Sequence, residues 1–142
     1  MGGDEPYIIG NCTLASVQRM EAELAQHILS LGKTPMGWEE ILFRTGGAQA
    51  TNGAAVVASW SAHSAAEVVA AGYHAVEAKA GRFYLAERIH GHNVCTNEEN
   101  FWYDIASGVP GNHSNPLLLG GRMSFWTDEC EFPSNPPVAC DF

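Results

Sequence analysis

Acidic and aromatic side chains recur at one kind of position along this chain, the end of each segment that is a strand candidate. The candidate site residues are Asp4, Glu5, Trp38, Trp60, Tyr84, Trp126 and Asp128. Aromatic faces stack on the apolar C–H faces of a pyranose ring, and a pair of carboxyl groups supplies acid catalysis and electrostatic stabilisation. The residue types and their placement therefore indicate chemistry suited to a sugar.

Two structural interpretations compete with a binding role. A buried aromatic residue at a strand end is commonly a core residue. Two acids after a Gly-Gly pair can also form the acidic first turn of a helix. The helical pattern begins only near Leu14, which weakens the second alternative for Asp4 and Glu5. An aromatic or acidic residue at every strand end is harder to explain by packing than any one of them.

The elements that would position these residues alternate along the chain. The helix candidates are residues 14–31, 39–43, 64–71 and 97–105, and the strand candidates are 33–38, 54–60, 74–78 with a continuation at 83–85, and 116–125. Such alternation indicates βα units and a parallel sheet. In a β/α barrel the carboxyl ends of the strands converge on the face where active sites form.

The first helix has the clearest pattern. Its apolar residues recur at steps of three and four, at Leu14, Val17, Met20, Leu24, Ile28 and Leu31. Gly32 stands where a C-terminal cap belongs. Further along, Ser64 and Glu67 have the spacing of a capping box, and Gly72 stands where that helix should stop.

Composition limits the partners. The chain has 142 residues, a formal net charge of −9 and only seven Lys and Arg residues. Because so few basic residues cannot form a basic patch, we expect no nucleic-acid or anionic-membrane partner. The spacing of Cys and His does not fit a zinc site, and we expect no metal and no cofactor. We expect neither a signal peptide nor a membrane-spanning segment within these 142 residues, because no apolar run approaches the length that spans a bilayer.

Cysteines and sequons bear on the compartment. Cys12, Cys95, Cys130 and Cys140 make an even count, and Asn11 and Asn112 each begin an Asn-X-Ser/Thr sequon. Together they favour a glycoprotein with a secretory or lysosomal history. Cys130 and Cys140 could close a short loop, but the sequence does not fix the connectivity.

Several motifs resemble one family. Residues 2–5 (Gly-Gly-Asp-Glu) look like the signature of the β-N-acetylhexosaminidase glycosidases, whose fold is a (β/α)8 barrel, and residues 32–40 resemble that family's GK-x-P-x-x-W-x-E segment. Residues 57–60, 83–85 and 119–126 follow in the family's order, so the match runs from residue 2 to about 129 and leaves 130–142 as an irregular tail. The resemblance implies an α/β fold, a partial TIM barrel from the end of strand 4 through strand 8.

The resemblance also implies a substrate-assisted, retaining mechanism, an exception to the usual two-carboxylate scheme. The substrate's 2-acetamido oxygen attacks the anomeric carbon and forms an oxazolinium intermediate. Asp4 would orient the acetamido N–H, Glu5 would act as general acid and then base, and Tyr84 would donate to the acetamido carbonyl. The walls of the pocket would be Trp38, Trp60 and Trp126, with Asp128 as a further substrate contact. The neighbouring Asp4 carboxylate would raise the pKa of Glu5, which predicts an acidic optimum.

Three positions depart from the family pattern. Ala86 and Arg122 stand where the family has acids, and Asp128 replaces a Glu. These changes affect contacts to the sugar hydroxyl groups more than the acid chemistry.

A complete barrel has roughly 250 residues, so we expect that this chain, a C-terminal half, cannot turn over substrate alone. The expected partner is a glycan with terminal N-acetylglucosamine or N-acetylgalactosamine, and the full-length protein could form a dimer. The alternatives are a catalytically inactive sugar-binding remnant and an unrelated flavodoxin-type domain. The latter would need a Gly-rich phosphate-binding turn after an early strand, which the sequence lacks.

Overall fold

The computed structural model of the chain describes residues 12–85, 88–89, 92–93 and 102–125. The α-helices are α1 (Leu14–Ser30), α2 (Glu40–Phe43), α3 (Ala65–Ala70) and α4 (Ala80–Phe83). The β-strands are β1 (Met36–Trp38), β2 (Val56–Ser59), β3 (His74–Glu77), β4 (Tyr84–Leu85), β5 (Arg88–Ile89), β6 (His92–Asn93), β7 (Leu118–Gly121) and β8 (Ser124–Phe125). The 3₁₀ helices are Gly47–Thr51 and Asn112–Ser114.

The main sheet is parallel and has the strand order β1-β2-β3-β7. The last residues of its strands are register partners or near neighbours: Trp38 pairs with Ala58, Ser59 with Glu77, and Glu77 with Gly121. The strand ends therefore lie along one edge, here called the carboxyl edge. The parallel sheet predicted from the alternation of elements is confirmed.

β2 is the most deeply buried of these strands. Val57, Ala58 and Ser59 are at most 1% exposed, as expected for a parallel strand that is covered on both faces. On one side the sheet packs against α2 and α3 in an apolar core that includes Ile41, Val57 and Val68. This core fixes the position of β2 and, with it, the chain that leaves the carboxyl edge.

Helix α1 begins and ends close to the predicted residues. Thr13 caps its N-terminus by accepting a hydrogen bond from the Ser16 backbone N–H. At the other end Gly32 has φ +67°, and the backbone N–H groups of Gly32 and Lys33 donate to Leu29 and Ile28. This is a Schellman cap, which needs the left-handed conformation that glycine adopts without strain.

The buried face of α1 differs from its most apolar stripe. The helix buries Val17, Glu21 and Ala25, whereas Leu14, Met20 and Leu24 are 40–52% exposed. The buried face lies against the 3₁₀ helix Gly47–Thr51, and the two approach closely because Gly47 has no side chain. A Cβ built on Gly47 would lie 2.7 Å from the Cβ of Glu21.

The capping box predicted at the start of α3 is confirmed. Ser64 accepts from the Glu67 backbone N–H at 3.3 Å, and the Glu67 carboxylate accepts from the Ser64 backbone N–H at 2.8 Å. Gly72 ends the helix with φ +85°. Hydrogen bonds from the Ser64 backbone N–H, the His63 ring and the Ser64 hydroxyl to the carboxylate lower the pKa of Glu67 to about 2.

Two strand predictions need correction. Phe83 ends α4 rather than continuing β3, and Tyr84–Leu85 pairs in parallel with Ser124–Phe125 in a separate two-stranded sheet. The strand predicted over 116–125 divides into β7 and β8. Gly120 has φ +138°, and the β3–β7 register shifts nearby, between Ala75 and Val76. This irregularity shows that the sheet does not continue straight along the chain.

The helix predicted over 97–105 is not found in its described part, residues 102–105. Asp104 instead accepts a hydrogen bond from the Ala106 backbone N–H at 2.9 Å. Such a side-chain-to-backbone bond favours a turn over a helix. Over the described ranges, none of the helices has the length and apolar character needed to cross a membrane.

Candidate functional site

Three aromatic rings meet at the carboxyl edge. Trp38 is the last residue of β1, Trp60 follows β2 directly, and Tyr84 begins β4. The ring centroids are 6.2 Å apart for Trp38–Trp60, 6.1 Å for Trp60–Tyr84 and 6.4 Å for Trp38–Tyr84. These residues, the aromatic cluster, come from three chain segments. The parallel register of β1 and β2 places Trp38 near Trp60, and Tyr84 joins them from the separate sheet formed by β4 and β8.

The cluster is buried at Tyr84 and partly exposed at the two tryptophans. Tyr84 is 5% exposed, whereas Trp38 and Trp60 are only half-buried. The Trp60 and Tyr84 rings are almost parallel, with 8° between their planes, and Trp38 is inclined to Trp60 by 61°. The half-buried indole rings offer apolar faces of the kind that stack on a sugar ring.

A buried carboxylate fixes the chain that carries Trp60. Glu39 is 3% exposed, and its two oxygens accept the backbone N–H groups of the segment 60–63. The shortest bonds are 2.9 Å from Trp60, 3.0 Å from Ser61 and 2.7 Å from Ala62. A buried charge is tolerated when it is hydrogen-bonded in this way. Glu39 therefore holds the first turn after β2 in one conformation.

The adjacent acid orients the Trp60 side chain. The carboxylate oxygens of Glu40 lie 3.1 and 3.2 Å from the indole Nε1 of Trp60, which donates to them. The sequence places Glu39 and Glu40 directly after a strand-end tryptophan, but sequence reasoning assigned neither a role. Two consecutive acids at a strand end were the available signal, because one can point inward and the other outward.

A second buried acid joins three elements. Glu77, the last residue of β3, is 2% exposed and accepts backbone N–H groups from Ala65 at 3.3 Å and from Lys79 at 3.1 Å. Burial raises its pKa, and the hydrogen bonds from Ala65, Lys79 and the Ser59 side chain oppose that rise. Glu77 thus anchors the start of α3 and the chain after β3. Like Glu39, Glu77 uses its carboxylate oxygens to accept hydrogen bonds from backbone N–H groups.

A cation lies over the cluster. Arg122 directly follows β7, and its backbone N–H donates to the Glu77 carbonyl at 2.8 Å. Its guanidinium carbon is 4.8 Å from the centroid of the Trp38 ring, within cation–π range. The side chain is exposed. Sequence reasoning identified Arg122 as a departure from a family pattern but did not place it against Trp38.

The predicted site residues therefore divide into two groups. The structure brings Trp38, Trp60 and Tyr84 together, while their roles toward a ligand stay predictions. The remaining predicted residues lie outside the described part of the chain: Asp4, Glu5, Trp126 and Asp128. Of the described carboxylates at the carboxyl edge, Glu39 and Glu77 bind backbone N–H groups, so the aromatic cluster provides stacking surfaces and a phenol rather than a general acid.

The cysteines divide in the same way. Cys12 is exposed and carries a free thiol, among the residues that the structure describes. The other three cysteines, including the pair predicted to close a loop, lie outside those residues. The second predicted sequon is described: Asn112 is exposed and begins a 3₁₀ turn.

Comparison with known proteins gives a family match over most of the chain. The family model "Glycosyl hydrolase family 20, catalytic domain" matches residues 11–135. The comparison with curated protein sequences gave no match.

The fold is also similar to that of two solved structures of one enzyme, an exo-β-N-acetylglucosaminidase of glycoside hydrolase family 20 from Vibrio harveyi. An inactive mutant superposes with a TM-score of 0.63, and the complex with N-acetylglucosamine with 0.57. Each is 19% identical in sequence and covers 82% of this chain. The chain spans 19–20% of the length of those enzyme chains, and at this identity the likeness concerns the fold.

Proposed function

The chain belongs to glycosyl hydrolase family 20, and from this premise we propose that it forms half of the active site of a β-N-acetylhexosaminidase. The enzyme would hydrolyse terminal, non-reducing β-linked N-acetylhexosamine residues of glycans. The observation that carries the proposal is the aromatic cluster of Trp38, Trp60 and Tyr84, with centroids 6.1–6.4 Å apart at the carboxyl edge of a parallel sheet.

In this proposal the main sheet is part of a (β/α)8 barrel, from the end of strand 4 through strand 8. β1, β2, β3 and β7 would be its strands 5 to 8, because they are parallel and neighbours in the order in which they occur along the chain. Active sites of β/α barrels lie at the carboxyl ends of the strands. The edge that carries the aromatic cluster is the one that would face the substrate.

The proposed reaction is substrate-assisted. The 2-acetamido oxygen attacks the anomeric carbon while Glu5 protonates the glycosidic oxygen, so the bond to the leaving group breaks and an oxazolinium ion forms. Asp4 orients the acetamido N–H and stabilises the positive charge, and Tyr84 donates its hydroxyl to the acetamido oxygen. Water then attacks the anomeric carbon and gives a proton to Glu5. The bond from that carbon to the acetamido oxygen breaks, which opens the oxazolinium ring and gives net retention.

The aromatic rings would act as walls. Trp38 and Trp60, with Trp126, would surround the acetamido group and exclude water from the oxazolinium ion, and Asp128 would contact a sugar hydroxyl. Excluding water strengthens the electrostatic interactions inside a site. Glu39 and Glu40 support this role because their hydrogen bonds fix the backbone and the indole of Trp60.

A second candidate function is sugar binding without turnover. The described carboxylates Glu39 and Glu77 are committed to backbone N–H groups, so the described part of the site can hold a sugar without supplying the acid. For either function we propose a lysosomal or secreted compartment.

Ligand titration of the 142-residue chain tests the pocket. We expect a thiazoline analogue of N-acetylglucosamine to change the tryptophan fluorescence in a saturable way. The double variant Trp38→Phe/Trp60→Phe should abolish the response. Trp102→Phe is the matched control, because Trp102 is 74% exposed and lies outside the cluster. No response at millimolar analogue would overturn both functions.

A turnover assay tests whether the chain itself can hydrolyse the substrate. The chain is assayed with a chromogenic N-acetylglucosaminide, together with Glu5→Gln. Release of the chromophore that Glu5→Gln abolishes would support hydrolysis by the chain itself. Binding of the analogue without release would favour the sugar-binding alternative or a requirement for the rest of the barrel.

A further inference from the structure

Arg122 is placed where it can contact a bound sugar. Its backbone is fixed to the end of β3 by the hydrogen bond to the Glu77 carbonyl. Its guanidinium carbon lies 4.8 Å from the centroid of Trp38, a proposed wall of the pocket. A guanidinium carries five N–H donors, so a contact with a ring leaves donors available for a ligand.

Among the described residues, the acids near Arg122 do not neutralise its positive charge. Within residues 12–85 and 102–125, no carboxylate forms an ion pair with this guanidinium. Glu39 and Glu77 bind backbone N–H groups, and Glu40 binds the Trp60 indole. The chain as a whole has a formal net charge of −9. Arg122 is therefore an exposed cation at the rim of the proposed pocket, in a chain that is acidic overall.

A guanidinium binds oxyanions such as sulfate and carboxylate through paired N–H donors. A neutral hydroxyl group uses one donor and gains no charge interaction. An oxyanion on the sugar would therefore gain more from Arg122 than a neutral sugar would.

We propose that Arg122 makes the pocket selective for N-acetylhexosaminides that carry an oxyanion, either a sulfate ester on the terminal sugar or a carboxylate on the next one. This inference rests on the proposed function. Arg122 would act in substrate specificity, with no part in the transfer of protons.

The test compares the affinities of three ligands for the 142-residue chain by tryptophan fluorescence. They are N-acetylglucosamine, N-acetylglucosamine 6-sulfate and a disaccharide of N-acetylglucosamine linked to glucuronic acid. We expect at least one anionic ligand to bind about 3–10-fold more tightly than N-acetylglucosamine at low ionic strength, with the preference falling as salt is added.

Charge variants assign the preference to one residue. Arg122→Gln should reduce the preference to within about twofold, and Arg122→Lys should retain part of it because the charge remains. Arg19→Gln is the matched control: it removes the same charge from an exposed position on α1 and should leave the preference unchanged. Far-UV circular dichroism checks that each variant is folded.

The outcomes separate the inference from the function on which it rests. Binding of N-acetylglucosamine with no preference for either anionic ligand would overturn the role of Arg122 and leave the sugar pocket intact. A preference that survives in Arg122→Gln, or that Arg19→Gln removes equally, would also overturn it. No response to any of the three ligands would contradict the proposed pocket itself, and this inference with it.

Discussion

The carboxyl edge of the sheet and the contact between α1 and the 3₁₀ helix each contain a buried glutamate, and the two glutamates differ in their hydrogen bonding. Glu39, at the edge, is 3% exposed and accepts backbone N–H groups with both oxygens. Glu21, on α1, is 2% exposed and accepts from the Thr45 hydroxyl, while its Oε1 has no hydrogen-bond partner among the described residues.

The incomplete hydrogen bonding of Glu21 accompanies a shifted pKa. Burial raises the pKa of Glu21, and the hydrogen bonds from Thr45 and the Gly47 backbone only partly offset this effect. A buried carboxylate with incomplete hydrogen bonding is costly. At the carboxyl edge, both oxygens of Glu39 accept hydrogen bonds and hold the backbone after β2 in one conformation. At the α1 contact, Glu21 is buried with one oxygen unbonded among the described residues, which is a cost to folding. The first arrangement is the one that a preorganised site requires.

The largest expected effect is that of Glu39→Ala. It removes the acceptor for the backbone of residues 60–63, so we expect the free energy of unfolding to fall by about 2–4 kcal/mol in urea denaturation. Glu40→Ala removes the acceptor of the Trp60 indole N–H but leaves Glu39 and the backbone of residues 60–63 in place, so it should cost less, about 1 kcal/mol. Equal losses in the two variants would contradict the special role assigned to Glu39.

Gly47→Ala tests the close contact of α1. The added methyl group would lie 2.7 Å from the Cβ and a carboxyl oxygen of Glu21, so we expect a loss of about 1–3 kcal/mol. Gly81→Ala is the matched control, because a Cβ there meets nothing within 4 Å. If both substitutions had the same effect on the urea midpoint, the helix would not depend on the small residue at position 47.

Glu21→Gln should change the pH dependence of stability. Because its pKa is raised in the folded state, the folded chain holds this proton more tightly than the unfolded chain does. Stability from this group is full below the unfolded value of 4.5 and falls as the pH rises toward the folded pKa. Urea denaturation from pH 4 to pH 8 should show a smaller decline in Glu21→Gln than in the parent chain. An unchanged decline would show that Glu21 does not titrate differently on folding.

The smallest expected effect is that of Glu67→Gln, because Glu67 is an exposed acid whose carboxylate accepts hydrogen bonds. Its pKa is lowered to about 2, so its contribution to stability is present above 4.5 and is lost as the pH falls through about 2. Thermal unfolding should show a slightly lower Tm for Glu67→Gln at pH 6, and the difference should shrink at pH 2. A difference that grows in acid would refute the capping-box explanation.

Three local features and the parallel arrangement of the sheet could be predicted from the sequence by itself. Helix α1 with its glycine cap, the Ser64–Glu67 capping box and the buried strand at 56–59 depend on residues that are close in the chain. The alternation of helices and strands was enough to predict a parallel sheet. The aromatic residues at the strand ends were enough to predict that Trp38, Trp60 and Tyr84 share an edge.

Only the tertiary structure shows which face of each element is buried and which distant residues it contacts. Periodicity identified α1 but not its buried face, because a small residue at position 47 lets the row of Val17, Glu21 and Ala25 pack closely. Contacts such as Glu39 with the segment 60–63, and Arg122 with Trp38, join residues more than 20 positions apart. Local spacing carries no information on such distances, so the aromatic walls could be predicted from sequence, whereas the acid that fixes Trp60 and the cation above Trp38 could not.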